Sequence, residues 1–148
     1  MGNKWYEVKV RYSKTVESGA DKVVTEVYLM DALSFTEAEA KATEKLEPFM
    51  TGVFDLSAVA KKNYAEVHLN GTDGYYFLST VELTHMDEKS FTEKTTKMRM
   101  IVEAADVQSA LDITTEKMDD SIMDYRIVGV VETNILDVFL YQEAAMEF

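Results

Sequence analysis

Ser34-Phe35-Thr36-Glu37-Ala38-Glu39-Ala40-Lys41-Ala42-Thr43-Glu44-Lys45-Leu46-Glu47 carries two patterns at once, a start signal and a period. Ser34 has the residue type of an N-cap, its hydroxyl accepting from a first-turn N–H, and Glu37 three positions on completes a capping box. Phe35, Ala38, Ala42, Leu46 and Phe49 recur at helical spacing on one side, with Glu37, Lys41 and Glu44 opposite. The spacing predicts an amphipathic helix. Pro48 limits its last turn, and Gly52 is expected as a left-handed cap. Residues 106 to 122 repeat the plan from Asp106, with Val107, Ala110, Met118 and Ile122 as the apolar stripe. Thr115-Glu116-Lys117-Met118-Asp119 mirrors Thr43-Glu44-Lys45-Leu46-Glu47.

Outward from these helices the chain reads as strands. Trp5 to Tyr12 alternates, with Tyr6, Val8, Val10 and Tyr12 on one face. Ser18-Gly19-Ala20-Asp21 marks a hairpin loop, and Val23 to Leu33 is rich in β-branched and aromatic residues. Phe54 to Leu69 is long for one strand, so a bend or bulge is expected within Ala58 to Asn63, giving either one bent strand or two short ones. Asn70-Gly71-Thr72-Asp73-Gly74 is a turn-rich connector. Beyond it the strands recur: Tyr76 to Thr84 matches the first, and Arg99 to Ala104 matches Val27 to Ala32. Tyr125-Arg126-Ile127 and Asn134-Ile135-Leu136-Asp137-Val138 match Phe54-Asp55-Leu56 and Asn63-Tyr64-Ala65-Glu66-Val67. The offset between the copies is 71 or 72 throughout.

This offset also disposes of a false helix start. Ser90-Phe91-Thr92-Glu93 duplicates Ser34-Phe35-Thr36-Glu37, yet its repeat position is the hairpin loop, so a turn running into a strand is expected. The fold class that follows is α+β, an internal duplication of a β-β-α-β unit. One helix over three strands leaves a 70-residue unit marginal. A single compact domain is therefore expected, made of two repeats at about 4–70 and 75–140. In it antiparallel sheet is covered by two helices around a pseudo-twofold axis.

The 148 residues contain one proline and no cysteine, which excludes disulfides, thiolate metal sites and thiol nucleophiles. No apolar run approaches the roughly 20 residues that cross a bilayer, and the first residues lack a signal-peptide core, so a cytoplasmic location is expected. Net charge is −12. Residues 1–72 hold 9 Lys/Arg against 11 Asp/Glu, a balance of −2, and residues 73–148 hold 6 against 16, a balance of −10. A field of that sign repels phosphate backbones and argues against nucleic acid. Its simplest purpose is solubility.

The chemistry-bearing residues form no recognised constellation. His68 and His85 have no partner at metal-ligand spacing, no serine sits in a nucleophile elbow, and no glycine-rich loop precedes a helix. Asp119, Asp120 and Asp124 are the densest carboxylates, but their spacing is not that of an EF-hand. No metal or cofactor is expected. Trp5, Tyr6, Tyr12, Tyr28, Tyr75, Tyr76 and Phe77 read first as cross-strand packing.

Trp5-Tyr6-Glu7-Val8-Lys9-Val10, Ser34-Phe35-Thr36-Glu37-Ala38-Glu39 and Asn134-Ile135-Leu136-Asp137-Val138 together resemble an uncharacterised domain-of-unknown-function family (4494) of gut Bacteroidales, their mobile elements and phages. The resemblance spans nearly the whole chain and brings no catalytic residues with it. It implies a small accessory protein that blocks a host or rival factor.

Two functions follow. The first is a non-enzymatic interaction protein that meets a protein partner through an acidic surface. Asp112, Glu116, Asp119 and Asp120, which helical spacing turns away from the apolar stripe, would form that surface. The alternative is a small-ligand protein of nucleotide-binding type with a cleft between the repeats, lined by Tyr12 and Tyr75 and served by the only basic doublet, Lys61-Lys62. An enzyme ranks third, and self-association stays open.

Overall fold

A computed structural model describes residues 4–50, 52–72 and 74–140. The described residues form two α-helices and two four-stranded, mostly antiparallel sheets, an α+β fold. The chain divides into two compact units, Met1–Asn63 with Asn134–Phe148, and Tyr64–Thr133.

In the first unit β1 (Lys4–Thr15) and β2 (Asp21–Ala32) form an antiparallel hairpin in which Lys4 faces Ala32 and Thr15 faces Asp21. β3 (Phe54–Lys62) joins the outer side of β1, also antiparallel. The fourth strand, β8 (Ile135–Phe139), comes from near the other end of the chain and lies parallel to β2, giving the order β3-β1-β2-β8. Alternation decides what is buried: Tyr6, Val8 and Val10 of β1 and Tyr28 and Met30 of β2 share one face. Helix α1 (Phe35–Leu46) covers it with Ala38, Ala42 and Leu46, whose small alanines allow close approach. Tyr6 adds an edge-on contact with Phe35, ring centroids 5.0 Å apart.

The ends of α1 refine the expectation. Ser34 Oγ accepts from Glu37 N–H at 3.1 Å, as predicted, but Glu37 Oε1 accepts from Leu33 N–H at 2.9 Å, one residue before the N-cap. Pro48 cannot donate to the helix ladder, so the chain tightens into a 3-10 turn over Glu47–Phe49. That change of period rotates Phe49 off the apolar stripe where it was expected, and it stands 80% exposed. Gly52 does not cap α1. It has a φ of 131° in the connection to β3, a conformation that glycine accepts readily. The expected irregularity in the following stretch divides into two. A bulge places Ser57 between Leu56, opposite Val10, and Ala58, opposite Lys9, just outside the range read from sequence. The strand then ends at Lys62, and β4 (Glu66–His68) belongs to the other sheet.

In the second unit β5 (Tyr75–Asp87) and β6 (Thr92–Ala104) form a long antiparallel hairpin, with β7 (Asp124–Glu132) antiparallel to β5 and β4 parallel to β6. The order is β4-β6-β5-β7. The duplicated Ser90-Phe91-Thr92-Glu93 segment is a turn entering β6, with Phe91 left-handed at φ 55°. Asp87 organises that turn, accepting from Lys89 N–H at 3.1 Å and Ser90 Oγ at 2.9 Å, with Lys94 Nζ 3.0 Å away. Helix α2 (Val107–Met118) starts on Asp106, whose Oδ1 accepts from Ser109 N–H at 2.8 Å. It ends at Met118, four residues short of the expected limit, and Ile122 is fully exposed rather than part of the stripe.

The second core divides into two groups, Val81, Met100, Val102 and Met118, and Phe77, Ala104 and Ala110. Between helix and sheet Ser79 Oγ and Thr114 Oγ1 stand 2.7 Å apart, both fully buried. Thr114 donates to Ala110 O at 2.8 Å, so its hydroxyl proton is spent and Ser79 is the donor to Thr114. Buried Glu103 holds the connector before β5, accepting from the N–H groups of Asn70 and Gly71, each at 2.9 Å. Gly74 is required there by proximity, since a Cβ would lie 2.3 Å from Ala104 O.

Candidate functional site

The first unit carries a groove of about 810 Å³ beside the C-terminal end of α1. Its floor follows from strand geometry. Glu26 and Tyr28 are two apart on β2 and share a face, while Tyr12 lies diagonally across on β1, where Val10 faces Glu26. Both phenols therefore reach one carboxylate: Tyr12 donates to Glu26 Oε2 at 2.9 Å and Tyr28 to Oε1 at 2.8 Å. Phe139 of β8 stacks on Tyr28 with centroids 5.6 Å apart and planes 12° from parallel. Leu46, Phe49, Met50 and Val53 form the helix-side wall, and Leu136 and Asp137 form the β8 side. Phe49, Val53 and Leu136 are exposed, so the rim offers apolar surface to solvent.

The electrostatics of the floor are acidic. The Glu26 hydrogen bond, with lesser help from burial, raises the Tyr12 phenol above its ordinary value. Burial, then the Glu26 hydrogen bond and charge, raises Tyr28 much further, and Asp137 adds to it. Both phenols are held neutral as donors to a carboxylate.

Of the four residues expected to serve a ligand cleft, Tyr12, Tyr75, Lys61 and Lys62, only Tyr12 lines this groove. Lys61 and Lys62 face Tyr6 and Trp5, whereas Tyr12 faces Phe54 at the far end of the same strand pairing. At about 3.3 Å per residue the doublet lies roughly 20 Å from Tyr12. Tyr75 opens β5 of the second unit and is 57% exposed. Glu26 is the residue that sequence reasoning passed over. Its signal was legible: position 26 shares a strand face with Tyr28 and Met30, and a carboxylate on an apolar face needs a partner.

The acidic set lies on and just beyond α2, where Asp112, Glu116, Asp119 and Asp120 are all exposed. Asp112 accepts from Gln108 Nε2 at 3.1 Å, and Asp119, the C-cap, accepts from Tyr125 OH at 3.3 Å. Glu116 also borders a shallow hollow of about 410 Å³ with Ile113 and Lys117 of α2 and His68 of β4. His68 Nε2 is 2.6 Å from Glu66 Oε1 without hydrogen-bond alignment, and His85 is exposed near the β5–β6 turn. Among the described residues no three His, Asp or Glu side chains converge as metal ligands, and no helix is long and apolar enough to cross a membrane.

No curated protein matches the chain. A family model described as a domain of unknown function, DUF4494, matches residues 4–141, and the chain belongs to that family.

Proposed function

We propose that this chain is a non-enzymatic binding protein that meets a protein partner through the exposed acidic face of α2. The observation that carries the reading is the placement of Asp119 and Asp120 at the helix C-terminus, next to Asp112 and Glu116. Negative charge there opposes the helix macrodipole, which costs stability. Solubility alone would not require that position. A basic partner would relieve the repulsion and be steered toward the face. The context of the family resemblance, Bacteroidales mobile elements and phages, suits a cytoplasmic accessory protein that occupies a host factor. We take the architecture as one domain made of two copies of a β-β-α-β unit. The second bulge supports this, since Val128 stands between residues paired with Val81 and Thr80, offset by 71 from Ser57.

Changing Asp112→Asn, Glu116→Gln, Asp119→Asn and Asp120→Asn together should preserve the circular dichroism spectrum and leave the melting temperature equal or slightly higher, since the macrodipole is no longer opposed. Capture of basic partners from a host lysate should fall, and the on-rate of the parent should drop with added salt. Identical capture by parent and variant would assign the face to solubility alone. A second reading, small-ligand binding, is favoured by the groove of the first unit, whose volume lies in the range of ligand sites.

A further inference from the structure

The donor and acceptor inventory of the groove defines what can occupy it. Tyr12 and Tyr28 have spent their hydroxyl protons on Glu26, so each phenolic oxygen has only lone pairs left to offer. The Glu26 carboxylate is likewise an acceptor, and so is Asp137 at the β8 side. Thr15, at the margin, donates to Asp21 Oδ1 at 2.9 Å. The remaining cation is Lys14, exposed at the mouth. Two carboxylates against one ammonium leave the groove one charge negative. An anionic head group would meet only acceptors at the floor and a repulsive field above it. A phosphate-bearing ligand is therefore disfavoured by chemistry as well as by charge.

An occupant that supplies donors and no acceptors satisfies every group on the floor. A primary ammonium does so, with three N–H donors and a positive charge. Phe139, stacked over Tyr28, and the aliphatic wall from Met50 and Val53 suit an apolar body attached to it. On the small-ligand reading above, we infer that this groove binds a free organic amine, an alkyl- or arylalkylammonium, with its nitrogen between Glu26 and the two phenolic oxygens.

The test uses the full chain and three isosteric probes: 2-phenylethylammonium, 2-phenylethanol and phenylacetate, titrated by NMR. The ammonium should bind at least tenfold tighter than the alcohol, and phenylacetate should not bind. Glu26→Gln should remove most of that preference, and Tyr12→Phe should weaken ammonium binding with the fold retained in the NMR spectrum. The two variants make the result independent of any folding defect in one of them. Equal binding of alcohol and ammonium would overturn the inference while keeping a ligand groove. Failure of all three probes at millimolar concentration would remove both the inference and the reading beneath it. A fourth probe, Nα-acetyl-lysine methylamide, separates sources: if it binds tighter than the free amine, the site takes a protein's lysine side chain and the small-ligand assignment falls. The α2 variant with four carboxylates neutralised should bind 2-phenylethylammonium unchanged, which keeps this result separate from the protein-docking proposal.

Discussion

Two phenols donating to one carboxylate tie the ionisation of the groove to folding. Tyr12 and Tyr28 have folded pKa values raised above the ordinary 10.0, the first by the Glu26 hydrogen bond and the second chiefly by burial. A raised folded value means stability that is fully present below about pH 10 and lost as pH climbs through the folded values. Absorbance titration of the phenolate band should therefore show Tyr12 and Tyr28 lagging, together with Tyr125, which burial and then Asp119 raise. The lag should shrink in Glu26→Gln, more for Tyr12 than for Tyr28, because burial keeps its part of the latter. Full titration of all tyrosines near pH 10 in the native protein would contradict the network. Of this site, Tyr12 was legible in the sequence as an aromatic candidate. Glu26 carried a signal too, its place on the strand face of Tyr28 and Met30, but a single acidic residue in a β-branched run is easily read as the solvent side of a strand. The register of β1 against β2, which sets the diagonal contact, is fixed by side-chain packing and turn geometry together.

Elements make the comparison between the two helices sharp. Val8 and Ala42, 71 and 72 positions before Ser79 and Thr114, both belong to the apolar core of the first unit, whereas Ser79 and Thr114 form a buried hydroxyl pair in the second. Thr114→Val should leave the Ser79 hydroxyl buried without its acceptor, at a cost of about 1–3 kcal/mol. Combining Ser79→Val with Thr114→Ala, the first unit's solution, should recover most of that loss, and urea denaturation of the single and double variants would check it. Leu46→Ala and Met118→Ala each remove a buried anchor of a helix and should cost about 2–5 kcal/mol in the same measurement. A negligible loss at both would mean that the helices pack by other faces. Helix starts were readable because caps are local: Ser34 and Asp106 each bond a backbone N–H three residues on. Helix ends were less so: Pro48 marked the limit of α1 but not the 3-10 turn that carries Phe49 off the stripe, and α2 stops at Met118 before the apolar Ile122. Periodicity continued past both points, but the backbone did not follow it.

For the whole molecule the informative feature is where short strands go, which side-chain pattern does not encode. The stretch read as either one bent strand or two short ones, Phe54 to Leu69, is split between two sheets, with β3 in the first unit and β4 beside β6 in the second. The end of the chain does the reverse: β8 follows the second unit in sequence and completes the sheet of the first. The first unit is therefore discontinuous in sequence, and its β2 edge is covered by residues more than a hundred positions away. β8 anchors there through Ile135, which is buried, and through the stack of Phe139 on Tyr28. An uncovered β2 would present a row of unpaired backbone groups, a template for edge-to-edge association. A chain ending after Thr133 should consequently melt at a lower temperature than one ending after Leu140 and should aggregate on concentration. The Tyr28 lag in the titration should also shrink, because removing the Phe139 ring takes away part of its burial, while the lag of Tyr12, set first by Glu26, should persist. Calorimetry, light scattering and absorbance titration on the two chains give three separate readings of one cause. If the shorter chain melts and titrates as the longer one does, β8 does not hold the first sheet together, and the groove it borders would have to be redrawn.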